Sequence, residues 1–457
     1  MWGLNNFITL HWRGIVLLLL GAMILGGAIY LMVRSARPME YIVKPGDSIQ
    51  NMLNVMPEGA VCKIQPGIYK EALTIPADAL TLRKDGQGDV VIDADGAVNA
   101  VLIKNVSRIV LEGLTIRNSS GSLIEITGET ATHNTIRQCT LREWGLDEKV
   151  LYPGAVLSSN GAAFTTVDLC YIDRGDHEGV WTQNPEGITF HFSGGHHTIT
   201  NNIIWGVCRD SQGKPIEIMP DFGDGYPLYK YNIMDAICGY DGKERQDFDD
   251  TLIKGNHFYG AHDDIIGIQG MDRNCVIEGN YIDAMGGADC IVLRGASVGP
   301  VYVRNNICLN GGMSCFKYGG WSEGPGTAVK YITDNIYYST LKRGYLENSD
   351  IWYVQTVDTA YSRFMDGEVN DENYNNLHME GNQSFTNRYW LTTMEGSGLN
   401  NSFKNNIFST NDRQNCVRYQ GILMDFDTFN IKYSDGSTQW KVISMPVEPK
   451  PPKAGAR

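Results

Sequence analysis

Nine short segments of this chain share one pattern: an apolar residue, two others, a small or amide residue, one more, then a second apolar residue. They begin at Leu111, Ile136, Val167, Ile199, Ile253, Ile277, Val303, Ile332 and Phe403, and "IEGNYI" at Ile277 is representative. The fourth position holds Leu114, Cys139 and Cys170, then Asn202, Asn256, Asn280, Asn306, Asn335 and Asn406. The spacings are 25, 31, 32, 54, 24, 26, 29 and 71 residues. A recurrent period near two dozen residues signals a solenoid. On that basis the 54 implies an extra coil centred on Asn232, and the 71 implies insertions.

A repeat this short cannot bury its own apolar face, so each coil must stack on the next at about 4.8 Å, the strand spacing of a sheet. Asn at a fixed turn position tolerates a left-handed backbone and can bond to the same residue one coil away. A further strand follows in many coils and ends in Gly: "GSLIEITG" (121–128), "GITFHFSG" (187–194), "DDIIGIQG" (263–270), "ADCIVLRG" (288–295) and "MSCFKYGG" (313–320). Aligned, these give two inward columns, Ile124, Phe190, Ile266, Ile291, Phe316 and Ile126, Phe192, Ile268, Leu293, Tyr318. The alternate columns, Glu125, His191, Gly267, Val292, Lys317 and Thr127, Ser193, Gln269, Arg294, Gly319, then face solvent. His191, Arg294 and Lys317 share that face, with Asp263 leading its strand.

Gly14 to Val33 is a run of twenty residues without a charge, long enough to span about 30 Å of hydrocarbon. It exceeds a signal-peptide core and is followed by Arg34 and Arg37, so residues 1–37 read as a cytoplasmic stub and uncleaved single-pass anchor. Arg13 on one side against Arg34 and Arg37 on the other leaves the sidedness open. "YIVKPGDSIQ" (41–50) resembles the opening of a LysM repeat, and Ile49, Met52, Leu53 and Met56 make a short amphipathic helix with Asp47 as N-cap. LysM needs a second helix, whereas strand alternation with Pro-Gly and Asp-Gly turns follows. Net charge is −14, which disfavours nucleic acid and anionic lipid as partners. Residues 38–440 form the folded domain, and 441–457, Pro-rich and charged, read as a disordered tail.

The Asn-bearing repeats together with "IQPGIYKEALTI" closely resemble the right-handed parallel β-helix, or pectin-lyase-like, family, and the expected class is therefore all-β. The resemblance implies that residues 47–56 plug the end of the core and that a strand face walled by long turns, such as "DRGDHEGVWTQNPE" (173–186), binds sugar. It also implies an extracytoplasmic domain acting on polysaccharide. Lyases of this fold draw a proton from beside a uronate carboxylate with Lys, Arg or His, while cations or Ca²⁺ neutralise that carboxylate. Arg294 would pair with the sugar carboxylate, and Lys317 or His191 would act as base. The Asn-Thr-Asp, Gly-His-Gly and Arg-Ile-Lys motifs of polygalacturonases are absent, and "AHDD" (261–264) matches only part of the epimerase motif Asp-Pro-His-Asp.

His262, Asp263 and Asp264 form the densest acidic cluster, with Asp289 one coil later in register with Asp264. Carboxylates about 5 Å apart would suit a retaining glycosidase. The core parity of Asp264 and Asp289 suits turn caps equally well. Asp263, Asp264 and Asp289 would also offer oxygen ligands to Ca²⁺, although no cofactor is required. Cys290 and Cys315 align one coil apart, within reach of a disulfide. Three functions remain: a polysaccharide lyase or epimerase, a glycoside hydrolase, and a non-catalytic glycan-binding scaffold with envelope protein partners.

Overall fold

The computed structural model describes residues 38–177, 183–219, 228–239, 247–269, 273–287, 289–294, 299–312, 314–318, 329–339, 355–358, 377–386, 389–392, 401–410, 417–419, 422–441 and 447–453. The expected anchor, Gly14 to Val33, lies outside them, and no helix among the described residues is long and apolar enough to cross a membrane.

Each coil contributes three strands, one to each of three 13-stranded sheets. Sheet A starts at Glu40–Val43, sheet B at Gly67–Lys70 and sheet C at Leu73–Thr74, and the chain visits them in that order. Strands pair in parallel with the coil before and the coil after. The antiparallel exception within the three sheets joins Val417–Tyr419 to Ile422–Met424 at the end of sheet C. The repeated segments straddle the turn from sheet A to sheet B, which is why their apolar residues, among those whose side chains are described, are buried. One continuous apolar core runs from Val43 to Phe429.

Asn202, Asn256, Asn280, Asn306, Asn335 and Asn406 are buried in a ladder. Each side-chain oxygen accepts from the backbone N–H of the preceding ladder residue, and from the side-chain amide where that residue is Asn, as Asn280 does from Asn256 at 2.9 and 3.0 Å. The amide of Asn280 in turn donates to the carbonyl of Ile253, so a buried polar column is satisfied by identical neighbours. Asn382 belongs to it as well, bonded to Asn335 and Asn406. It escaped the pattern because Ser384 stands where the second apolar residue was expected.

The extra coil expected at Asn232 is not formed. Asn202 bonds directly to Asn256, and Thr198–Thr200 pairs with Leu252–Lys254. The intervening chain instead leaves the turn after sheet B, makes a small antiparallel pair (Glu217–Met219 with Leu228–Tyr229) and returns to sheet C at Ile237–Gly239. Asn232 is buried in that excursion, donating to the carbonyls of Gly175 and Val207.

Helix α1, Ile49–Leu53, covers the first coil through Ile49 and Leu53, but its N-cap is Ser48 rather than Asp47. The Asp47 carboxylate accepts from the Lys44 N–H in the preceding turn, and Glu71 of the next coil takes the N–H groups of Ile49 and Gln50. At the far end helix α2, Phe426–Tyr433, sets Phe429 on Phe403 with ring centroids 5.2 Å apart. Beyond residue 440, Glu448 of the Pro-rich tail accepts a hydrogen bond from the Tyr259 hydroxyl on sheet B.

Candidate active site on sheet C

The register of sheet C corrects one strand of the sequence alignment. Ile126 pairs with Ser158 and Ser158 with Phe190, while Ile124 leads through Val156 to Ile188. Phe190 therefore stands two residues from its expected place, in the column of Ile126, and Phe192 is 53% exposed rather than inward. The remaining members of the first column, Ile124, Ile266, Ile291 and Phe316, are fully buried as expected, as are Ile126, Ile268 and Leu293 of the second. His191 consequently pairs with Ser159 and follows the column that ends in Gln269 and Arg294, not that of Lys317. It lies three strands from Arg294, or roughly 14 Å. Lys317 stands opposite Val292 on the strand next to that of Arg294. Both strands are described, but the side chains of Arg294, Lys317 and Cys315 lie outside the described residues. Cys290 is buried.

The same register stacks four acids at the start of these strands. Asp264 pairs with Asp289 and Asp289 with Ser314. Ile237 pairs with Ile266 and Ile188 with Ile237, which brings Asp235 and then Glu186, each two residues earlier, into the same column. Backbone bonds agree: the N–H of Gly187 donates to Asp235 and that of Ala236 to Asp264, each to the backbone carbonyl. Glu186, Asp235, Asp264 and Asp289 are between 0 and 5% exposed. Their parity suggested the core, yet Ile265 with Ile266, and Cys290 with Ile291, are consecutive core residues. Alternation therefore breaks directly after each acid.

Asp289 accepts from the Ser314 hydroxyl, and Asp235 from the backbone N–H of Asp264 at 2.8 Å. Glu186 accepts from the Thr189 hydroxyl at 2.5 Å. Burial pushes Glu186 up to about 8. Burial, and then the charges of Asp263 and Glu186, push Asp235 to about 8. Ligand atoms of Asp235, Asp263 and Asp264 lie within 4.8 Å of one another, and so do those of Glu186, Asp235 and Cys238. Of the three residues expected to bind a cation, two are thus joined by Asp235, and Asp289 stands outside the group. Asp263 is half-buried, as is His262, whose ring meets Tyr231 edge-on at 5.6 Å.

Glu186 and Asp235 were missed because one ends a loop and the other sits in the supposed extra coil. The signal was present: Glu-Gly-Ile, Asp-Ala-Ile, Asp-Ile-Ile and Asp-Cys-Ile begin at 186, 235, 264 and 289. A second unforeseen residue is Arg174, 3% exposed. Its guanidinium donates to the carbonyls of Trp144, Gly145, His177 and Asn232 and to the Gln183 side chain, tying together the loops that enter the Glu186 and Asp235 strands.

Ser193 and His197 lie 3.0 Å apart but make no nucleophile. The His197 Nδ1 accepts from the Thr165 N–H, so Nε2 carries the proton and donates to the hydroxyl instead of taking its hydrogen. His196 stacks on Phe164 at 4.5 Å, as a turn residue would.

Three parallel sheets, a stacked Asn turn and a helical plug define a parallel β-helix of the pectin-lyase-like class. Solved structures agree. A mannuronic acid specific family 6 polysaccharide lyase from human gut microbiota superposes with a TM-score of 0.53 and 14% identity, over 83% of this chain and 82% of its own. A PL6 alginate lyase in complex with a trisaccharide gives 0.52 and 15%, over 92% of this chain and 93% of its own. At such identities the likeness shows the fold. No family model and no curated protein matches the sequence.

Proposed function

We propose that the protein is a polysaccharide lyase acting on a uronate-containing glycan laid along sheet C. The observation that carries this reading is the register of sheet C, which sets Lys317 opposite Val292 on the strand next to that of Arg294. In this mechanism Lys317 takes the proton beside the sugar carboxylate, the electron pair forms the ring double bond, and the glycosidic C–O bond breaks as its oxygen takes a proton from water. Arg294 pairs with the carboxylate and stabilises the charge that develops there. His191, too distant for the same sugar unit, contacts a neighbouring one.

Asp235, Asp263 and Asp264 form an all-oxygen set of the kind Ca²⁺ takes. Burial first, and then the charges of Asp263 and Glu186, raise Asp235, and a cation held there would take the place of its proton. An ion held there would neutralise the acids themselves and tie together the starts of their strands.

Hydrolysis draws support from the register of Asp264 with Asp289, near the separation of retaining enzymes. Both residues are 0% exposed, which places neither against a sugar carbon. One of these neighbours is named a mannuronic acid specific family 6 lyase and the other a PL6 alginate lyase, and their likeness in fold fits the lyase reading. In this proposal Gly14 to Val33 anchors the domain outside the cytoplasm.

Incubating the purified protein with uronate and neutral glycans separates the functions. Unsaturated uronate ends support the lyase. Reducing ends without unsaturation establish hydrolysis, inverted sugar configuration without cleavage establishes epimerisation, and binding without product establishes a scaffold.

A further inference from the structure

In the coils of sheet C before those of the carboxyl ladder, an open cavity of about 430 Å³ lies against the strands Val101–Lys104 and Ile124–Thr127 and the turn residue Asn160. That volume falls within the range of small-molecule sites. Asn99, Lys104, Glu125, Thr127 and Asn160 surround it, with Leu102 contributing an apolar surface. Its shape comes from the turn after the strands, where Asn105, Gly128 and Asn160 succeed one another. A Cβ at Gly128, whose φ is +102°, would stand 1.9 Å from the Asn105 side-chain oxygen, so the turn admits Asn105 because residue 128 has no side chain.

The polar groups are already oriented. The Asn99 amide donates to Glu125 at 2.6 Å. The Thr127 hydroxyl oxygen accepts from the Asn160 amide and the Ser159 hydroxyl, each at 3.0 Å, leaving its own hydrogen to donate. The lining carries one positive and one negative side chain. A uronate entering it would face the Glu125 carboxylate with only the exposed Lys104 in compensation. Paired amide, hydroxyl and carboxylate groups beside an apolar surface suit the hydroxyls and C–H faces of a neutral sugar instead.

The geometry points to a distal subsite for a neutral, hydroxyl- or acetamido-bearing unit of the same polysaccharide, an inference that rests on the function proposed above. Glu125 and Asp264 are four strand spacings and three residues apart, or roughly 22 Å, a gap that several sugar units bridge. The enzyme then reads one chain at two points, acidic at the Arg294 and Lys317 strands and neutral here.

The test is kcat/KM of the full chain on uronate oligosaccharides from disaccharide to octasaccharide. A parallel series has the carboxyl of the far terminal unit reduced to an alcohol. Wild type should gain about tenfold on the carboxyl-reduced series once the oligosaccharide reaches the cavity, the weight of one or two hydrogen bonds. The all-uronate series should gain less. Glu125→Ala and Thr127→Val should remove the gain while leaving the shortest substrates unchanged. The same length dependence in wild type and variants overturns the subsite and leaves the catalytic reading standing. A gain lost on carboxyl reduction overturns its neutral preference. Absence of turnover and binding on every substrate removes the catalytic reading and the subsite together.

Discussion

Carboxyls stacked on successive strands and shielded from water hold protons that isolated ones release. Glu186 and Asp235, pushed from ordinary values of 4.5 and 3.8 up to about 8, bind more protons in the folded chain than in the unfolded one between about pH 4 and 8. Their contribution to stability therefore falls as pH rises through that window, and the penalty is complete above it. His197 acts in the opposite sense. Burial first, and then the charge of His196, lower it from 6.5 to about 3, so it adds stability as pH rises from about 3 to 6.5. The difference between wild type and the Glu186→Gln, Asp235→Asn double variant isolates the acids. The variant should gain in relative Tm from about pH 5 to pH 8. Millimolar Ca²⁺ should raise the wild-type Tm at pH 8 and leave the variant's nearly unchanged, since a cation bound only by the folded state stabilises it. A pH-independent Tm difference would show that these carboxyls do not titrate as buried acids.

The Asn ladder and the loop clamp work through shared partners, so single substitutions there orphan several groups. Asn280→Ala removes the acceptor for Asn256 and the donor to Ile253 inside a column that is 1% exposed at residue 280. A loss of about 3 kcal/mol is expected in chemical denaturation. Arg174→Leu strips the donors from four loop carbonyls and should lower both stability and any sheet C activity. Arg174→Lys, which keeps the charge but not the fork, should recover only part of each. The ladder was legible because the stack repeats one residue type at one position. The acid column was half legible: Asp264 and Asp289 stood in aligned strands, whereas Asp235 lay behind an insertion that periodicity read as a coil. The two-residue displacement of Phe190 has a similar origin. A period of two fixes which residues alternate but not which pair, and the six-residue strand Glu186–His191 leaves both alignments open.

At the scale of the molecule the fold is a one-dimensional stack whose ends must be closed. Glu71→Ala removes the acceptor for the first N–H groups of α1 and should raise hydrogen exchange in α1 and the first coil, with the central coils unaffected. Uniform acceleration along the chain would contradict a stack held by nearest neighbours. The architecture was legible because every coil repeats it. The reaction was not, since it depends on side chains that occur once. The most direct test of the central claim, that sheet C holds an acidic sugar at the Arg294 and Lys317 strands, is a crystal structure of the Lys317→Ala variant with a uronate oligosaccharide. The account predicts sugar density along sheet C with a carboxylate facing Arg294. Sugar bound on sheet A or sheet B, with sheet C bare, would contradict it.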